Sequence, residues 1–536
     1  MNVLLLYPRF QHESFQTPTR SARDLMGRRA IMPPLGLVTL ASYLPADFSL
    51  RLVDRNCRAE TEEEWEWADV VFLSVMLIQE NDYRECVRLA KAHRKPIAVG
   101  GPFTHSKREV VIDDGDWVCF GEVESIVEQF VADLRADRRG RVYEGGSKSD
   151  LSKSAVPRFD LLGRLNDYTT MAIQFSRGCP FDCEFCDIIE IYGRVPRTKP
   201  PAQVLAELTS LKSLGFKGYV AFVDDNFIGN RRLAKAMLRE LAVWNRANDY
   251  PFKFYTQVTI NVADDRELLT GLEEANFLGI FVGIETPDPE LLRTTQKPQN
   301  IPGDMIAKAR TIREHGLHLT AGFVIGFDGE DRSVFETQKA FVAASGIALA
   351  TLSILHALPN TQLSRRLERE GRLRDRVAGP VAGPMHSMNF LPKGRMTKRE
   401  YLGHFAELAT QLYQPKAYFA RVRISLLQMR FHVPARIAFL QYLMHLPLVL
   451  RTIFYLGIRE NGARRMFWRT LITVIRHNPR ALEGFTVDCY NFYYVRKYVP
   501  SLVDALHRYV ADPPPDAVLD VHVSPDRERR LPGVPA

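Results

Sequence analysis

The stretch Arg177-Gly178-Cys179-Pro180-Phe181-Asp182-Cys183-Glu184-Phe185-Cys186 contains three of the seven cysteines in this 536-residue chain. Three thiolates on one short loop can each bind one iron of a [4Fe–4S] cluster, for which four cysteine ligands are usual. A set of three leaves one iron open to a substrate or a cofactor. Cys179, Cys183 and Cys186 are therefore the predicted ligands of such a cluster.

A structural zinc site is the main alternative for these thiols. Zinc needs four ligands, and the nearest histidines in the sequence, His105 and His315, are distant from the loop. Seven cysteines are too few, and odd in number, for a disulfide framework, so a reducing compartment is expected. The opening run Val3–Leu6 lacks the basic start and cleavage site of a signal peptide, so we expect a cytoplasmic protein.

The composition is that of a globular protein of two to four domains, with 46% hydrophobic and 25% charged residues. The net charge is +8, and Arg and Lys are dense from Lys393 to Arg480. A nucleic acid, an anionic membrane surface and a solvated face all remain open as explanations of this charge. No RNA-binding signature accompanies it, so we expect no nucleic-acid partner.

Residues 1–140 predict a doubly wound α/β domain. Short apolar runs of strand length alternate with helical patterns, which is typical of a parallel sheet covered on both faces. Ligands of such a sheet bind at the carboxyl ends of its strands. The predicted strands are Val3–Leu6, Leu50–Val53, Val70–Val75 and Ile97–Val99, and the predicted helices are Leu35–Leu44, Tyr83–Ala92 and Val123–Leu134.

The rest of the chain divides into four further segments. Residues 141–165 are predicted as a linker, because 138–157 are rich in Gly, Ser, Lys and Arg. Residues 166–375 contain six strand–helix repeats, too few for a closed eight-stranded barrel. A helical domain is expected over 376–510, followed by a disordered tail at 511–536. The predicted strands of the repeats are Ala172–Phe175, Tyr219–Val223, Phe252–Val258, Ile280–Ile284, Leu319–Ile325 and Thr351–Leu355.

The C-x3-C-x2-C spacing, with its aromatic-Cys ending, resembles the radical S-adenosylmethionine (SAM) superfamily. The resemblance implies an open, partial (β/α)6 barrel in which the open iron binds the amino and carboxylate groups of SAM. It also implies further cofactor-binding residues at the strand ends, with a helix cap or a surface turn as the alternative for Asp224 and for Asp225. The candidates are Phe185 within the loop, Asp224 and Asp225 for the amino group, Gln257 for the ribose, Glu285 for SAM, and Gly326 beside the adenine.

A doubly wound domain ahead of this core resembles the cobalamin-binding radical SAM enzymes. The matching residues lie at the predicted strand ends, where small side chains let the backbone approach the cobalamin tail; an ordinary turn is the alternative for each glycine. These candidates are Ser74, Gly100, Gly101, Gly121 and Glu122. Asn56 stands where many cobalamin folds have a histidine, and a neutral amide is a poor cobalt ligand. We therefore predict cobalamin bound without a protein histidine.

The C-terminal region resembles the subgroup that includes the hopanoid methylases, in the runs Asn389–Lys393 and Tyr413–Tyr418. The combination implies methylation of an unactivated carbon on a small-molecule or lipid substrate, through a 5′-deoxyadenosyl radical and methylcobalamin, with flavodoxin or ferredoxin as electron donor. Arginines around the apolar run Ile437–Leu456 allow peripheral contact with the inner membrane face, and a helical cap on the barrel is the alternative. The arginines in question are Arg421, Arg423, Arg430, Arg436 and Arg451.

Three other functions stay open on the sequence. A methylthiotransferase would use Cys57, Cys86 and Cys119 for a second cluster, but the last two lie in helix-like and strand-like patterns typical of buried thiols. A cobalamin-dependent radical oxidation or cyclisation would need no methyl transfer. A sensor would bind both cofactors without turnover.

Overall fold

The computed structural model describes residues 1–11, 13–15, 17–145, 148–374, 388–431, 446–513 and 517–523. The chain forms two compact units. The first unit comprises residues 1–12, 27–180 and 187–225, and the second comprises 13–26, 181–186 and 226–536. Most of the predicted tail, 511–536, lies outside the described residues.

The first unit contains a six-stranded parallel sheet in the order β2-β1-β3-β4-β5-β6. This order places a topological switch point between β1 and β3, where doubly wound sheets bind ligands. Apolar residues alternate between two cores: Leu4 and Leu6 belong to one, and Val3 and Leu5 to the other. The sheet is thus buried on both faces, as predicted. Its strands are β1 (Asn2–Tyr7), β2 (Ser49–Asp54), β3 (Val70–Ser74), β4 (Ile97–Gly100), β5 (Trp117–Phe120) and β6 (Arg141–Glu144).

The described residues of the first unit form six α-helices around this sheet. They are α1 (Leu35–Ala41), α2 (Glu62–Trp67), α3 (Glu80–Ala92), α4 (Pro102–Ser106), α5 (Arg108–Asp114) and α6 (Val127–Arg135). Strand β6 differs from the sequence prediction, which assigned 141–165 to a linker. The strand forms there because Tyr143 is buried and its hydroxyl donates to Asp133 of α6 at 3.0 Å.

The first unit also contains the beginning of the strand–helix repeats. Strand β7 (Thr170–Ile173) pairs in parallel with β8 (Gly218–Phe222). Between them lie a short antiparallel pair, Ser176–Arg177 with Arg197–Thr198, and the helices α7 (Ile188–Tyr192) and α8 (Pro201–Ser213).

The second unit continues the repeats with four parallel strands in consecutive order. The strands are β9 (Phe252–Val258), β10 (Phe277–Glu285), β11 (His318–Ile325) and β12 (Ala350–Ile354). The intervening helices are α9 (Arg231–Ala247), α10 (Arg266–Glu274), α11 (Pro289–Thr294), α12 (Met305–Glu314) and α13 (Ser333–Ser345). All six predicted strands are therefore present, and the α/β fold class is confirmed.

The remainder of the second unit is helical, as predicted. The helices are α14 (Gln362–Arg369), α15 (Lys398–Leu412), α16 (Pro415–Gln428), α17 (Leu446–Thr452), α18 (Arg464–His477) and α19 (Leu482–Ala511), and α17 continues directly into a π-helical stretch, Ile453–Arg459. The N-terminal residues 13–26 also belong here: the Tyr494 hydroxyl donates to the Ser14 carbonyl oxygen at 2.6 Å. No helix in the described ranges has the length and apolar content needed to cross a membrane.

Candidate functional site

The three predicted cluster ligands lie on the loop between Arg177 and α7. Gly178 has a φ of +91°, and a Cβ there would lie 2.8 Å from the Gly193 carbonyl oxygen. The same carbonyl accepts from the Cys179 backbone N–H at 3.3 Å, and the Cys183 carbonyl accepts from the Cys186 N–H at 3.1 Å. The loop therefore begins with a turn that only glycine fits, and its last two cysteines share a second turn.

The chemistry of the loop fits an iron–sulfur cluster. All seven cysteines are described, and none of them is in a disulfide. Cys183 is buried, while Cys179 and Cys186 are partly exposed. In the described part of the chain, no three His, Cys, Asp or Glu side chains converge as a single metal ion requires. A cluster has no such requirement, because each thiolate binds a different iron.

Two buried aspartates at the end of β8 hold the segment that leads into the loop. Asp224 accepts hydrogen bonds from the Phe175 N–H at 3.1 Å, the Ser176 hydroxyl at 2.5 Å and the Ser176 N–H. Asp225 accepts from the Gly178 N–H at 3.3 Å. Burial outweighs these donors and raises the pKa of Asp224 to about 7 and that of Asp225 to about 6. Their carboxylates fix the backbone immediately before Cys179.

Arg177, two residues before Cys179, is held by acidic residues at the end of β5. Its guanidinium lies 3.1 Å from Glu122 and 2.7 Å from Glu124. Glu122 is also paired with Arg197 at 2.5 Å. Burial would raise the pKa of Glu122, but Arg197 and Arg177 outweigh it and lower that pKa. The predicted cobalamin-side residue Glu122 is thus engaged in a buried ion network that also holds the start of the cysteine loop.

Glu285 ends β10 in a conformation that is unusual for a residue with a side chain. Its φ is +64°, and strained backbone of this kind concentrates at functional sites. The carboxylate is paired with Lys297, a buried residue that no sequence pattern marked. Burial alone would lower the pKa of Lys297, but Glu285 and the nearby Cys183 raise it. Lys297 Nζ also lies 6.0 Å from the centre of the Phe185 ring.

A second ion network holds the middle of the cysteine loop. Glu184 accepts from Arg366 Nε at 3.0 Å and Nη2 at 2.9 Å, a bidentate pair. Arg366 also contacts Asp328 at 2.7 Å, and Asp328 in turn accepts from Arg372 at 2.9 Å. Glu184, Arg366 and Asp328 line a cavity of about 240 Å³ together with Phe327 and other residues. Neither Arg366 nor Arg372 belongs to a sequence pattern that would have revealed it.

The remaining two SAM-side candidates lie at the ends of β9 and β11. Gly326 has a φ of +115°, and its N–H donates to Glu330 at 2.7 Å. The buried Glu330 carboxyl, which no sequence pattern marked, therefore caps the strand end. Burial raises the pKa of Glu330 to about 8. Gln257 is exposed, and its backbone carbonyl accepts from the Phe227 N–H at 3.0 Å.

The cobalamin-side candidates, apart from Asn56, line the carboxyl ends of β3, β4 and β5. Gly101 has a φ of +92°, and a Cβ there would lie 2.7 Å from the Val75 nitrogen and 3.0 Å from Ser74 Oγ. A Cβ at Gly100 or Gly121 would meet only ordinary van der Waals neighbours. Gly101 is therefore required by the close approach of the Val75 backbone, next to the half-buried Ser74.

Asn56 lies in the loop after β2, and its side chain is fully engaged there. Its Nδ2 donates to Asp54 at 2.7 Å and to the Pro8 carbonyl at 3.3 Å, and its Oδ1 accepts from the Phe10 N–H at 2.9 Å. The amide therefore ties the loops after β1 and β2 together.

Comparisons with known proteins agree with this arrangement. Family models match a B12 binding domain at 27–131, the Radical SAM superfamily at 173–339 and a domain of unknown function, DUF4070, at 361–506. An uncharacterised methyltransferase of Synechocystis sp. is 38% identical over 530 residues, 98% of each chain. The hopanoid C-2 methylase of Rhodopseudomonas palustris is 37% identical over 69% of this chain and 71% of its own.

The chain belongs to the cobalamin-binding radical SAM methyltransferases. It is accordingly an enzyme whose cofactors are a [4Fe–4S] cluster, SAM and cobalamin. A structure of the cobalamin-dependent SAM radical enzyme OxsB shares the fold, with a TM-score of 0.59 at 16% identity over 95% of this chain and 84% of its own. The relatives favour methyl transfer over the oxidation, cyclisation and methylthiotransferase alternatives.

Proposed function

We propose that this methyltransferase methylates an unactivated carbon of a hopanoid or another lipid. The observation that carries the proposal is the 37% identity to a hopanoid C-2 methylase over 71% of that enzyme. Peripheral contact with the inner membrane face would give access to such a substrate. Flavodoxin or ferredoxin is the proposed electron donor.

We assign the cluster to Cys179, Cys183 and Cys186. When bound, the cluster and SAM supply a radical that removes hydrogen, and cobalamin supplies the methyl group. The chain's own contribution is to hold these groups and exclude water. Asp224, whose oxygens already accept from Phe175 and Ser176, is better suited to positioning the loop than to binding SAM.

The SAM side is assigned to Phe185, Asp225, Gln257, Glu285 and Gly326. Lys297 joins them, because a buried cation next to Phe185 suits the carboxylate group of SAM. The positive φ of Glu285 supports its role, since strain at a strand end is retained where it serves a site.

The cobalamin side is assigned to Ser74, Gly100, Gly101 and Gly121. Glu122 acts beside them as a positioning residue, through Arg177. Because the Asn56 amide is used in loop contacts, we propose cobalamin bound without a protein ligand to cobalt from this loop.

A deletion strain tests the substrate. Its lipid extract should lack species that are one methylene heavier, and the wild-type gene should restore them. Cys183→Ala should fail to restore them, whereas the matched control Cys489→Ala, a buried thiol of α19, should succeed. Unchanged lipids in the deletion strain would overturn the lipid proposal. Formation of 5′-deoxyadenosine by the reduced, reconstituted enzyme tests the radical chemistry separately.

A further inference from the structure

Helix α17 and its π-helical continuation expose a row of large apolar side chains. Leu446, Leu450, Phe454 and Ile458 follow one another at intervals of four residues and are between 45% and 57% exposed. Residues at this spacing share one side of a helix. The opposite side, which includes Leu456, is buried. The exposed row is therefore not needed for packing within the described residues.

Helix α18 carries a second exposed apolar row and packs closely on the first helix. Trp468 Nε1 donates to the Gly457 carbonyl at 2.8 Å, and a Cβ at Gly457 would lie 2.9 Å from the Phe467 ring. The two helices thus form a fixed hairpin. We define its apolar hairpin face as the exposed residues Leu446, Leu450, Phe454, Ile458, Trp468, Ile472 and Ile475.

The same hairpin is strongly basic. Between residues 446 and 477 the sequence contains six arginines but only one acidic residue, Glu460. Glu460 is paired with Arg496 of α19 at 3.4 Å, so it does not neutralise the hairpin's own charge. All six arginines are exposed: Arg451, Arg459, Arg464, Arg465, Arg469 and Arg476.

We propose that the apolar hairpin face binds the surface of an anionic lipid bilayer, with the arginines at the level of the headgroups. Exposed large apolar residues among basic ones are typical of helices that lie in the membrane interface. Charge favours this occupant over a second copy of the chain, because self-association would bring two basic hairpins together.

The surface differs from the one that the sequence indicated. Arg421, one of the arginines considered there, is buried and donates to the Ile347 and Ala348 carbonyls at 2.8 and 3.1 Å. It stabilises the helical region and cannot meet a lipid headgroup. Arg436 lies outside the described residues, and among the described members of the original set only Arg451 belongs to the hairpin. This membrane-binding proposal rests on the proposed lipid substrate. Vesicle binding can be measured without turnover, so the two proposals can fail separately.

The test uses the full-length, reconstituted enzyme and vesicles of phosphatidylcholine with or without phosphatidylglycerol, free of hopanoids. The wild type should sediment with the anionic vesicles. The triple variant Leu450→Gln/Phe454→Gln/Ile458→Gln should bind on the order of 100-fold more weakly, because it removes three apolar contacts. Arg464→Gln/Arg465→Gln should weaken binding to anionic vesicles about 30-fold, because each of the two arginines would lose the binding free energy that a basic residue usually contributes near an anionic surface.

Exposed residues of α9 provide matched controls. Val243→Gln and Arg232→Gln should bind as the wild type does. Brominated acyl chains should quench part of the tryptophan fluorescence, and this part should vanish in Trp468→Phe. The proposal would be overturned if the wild type did not bind the anionic vesicles, or if the triple variant bound them as the wild type does. A wild-type dimer that this variant dissociates would also overturn it and assign the face to a second copy.

Discussion

Replacing Arg366 by Met should destabilise the cysteine loop. Glu184 lies directly between Cys183 and Phe185, is 7% exposed, and receives two hydrogen bonds from Arg366. Removing one partner of a buried ion pair costs about 3–5 kcal/mol, because the other charge stays buried without compensation. The Arg366 side chain is 30% exposed, so we expect the lower end, about 3 kcal/mol.

Urea unfolding of the anaerobic holoenzyme measures this loss, and iron per chain reports whether the cluster proposed for this loop is retained. Arg369→Met, an exposed substitution in the same helix, is the control and should change little. The double variant Glu184→Gln/Arg366→Met should recover part of the loss, since neither charge remains buried. If Arg366→Met matched its control in both stability and iron content, the ion pair would not hold the loop.

Three further substitutions test other parts of the structure. Glu122→Gln should be less stable than the wild type at neutral pH by about 2–3 kcal/mol. Because the Glu122 pKa lies below its usual 4.5, this difference in stability should vanish as the pH falls through the lowered pKa. A wild type that stays more stable than the variant in acid would contradict this. His318 Nε2 lies 2.8 Å from Asp488 Oδ1 in a buried pair. Burial lowers the pKa of His318, but Asp488 outweighs it and raises that pKa, so the pair should stabilise the fold fully below pH 6.5 and lose its effect as the pH rises through the raised pKa. The melting temperature of His318→Gln should lack this dependence on pH. Glu285→Gln should keep its iron but form 5′-deoxyadenosine at least about tenfold more slowly; an unchanged rate would argue against a role at SAM.

Much of the fold follows from local sequence. The predicted strand Tyr219–Val223 lies within one residue of the observed Gly218–Phe222, because buried parallel strands are continuous apolar runs. Strand β6 was missed because it lies at the sheet edge, and only Tyr143 among its residues is buried. The cysteine loop was recognised because three thiols at fixed spacing are a strictly local signal.

What the sequence alone determined was the order of the domains and the strand–helix alternation, and it predicted the cluster cysteines; all of these depend on neighbours along the chain. Only the tertiary structure revealed that Glu122 pairs with Arg177, that Glu184 pairs with Arg366, and that Lys297 lies next to Phe185. Partners in the first two pairs are 55 and 182 residues apart. No periodicity encodes such contacts, because the strength of a buried charge pair depends on distance and burial in three dimensions.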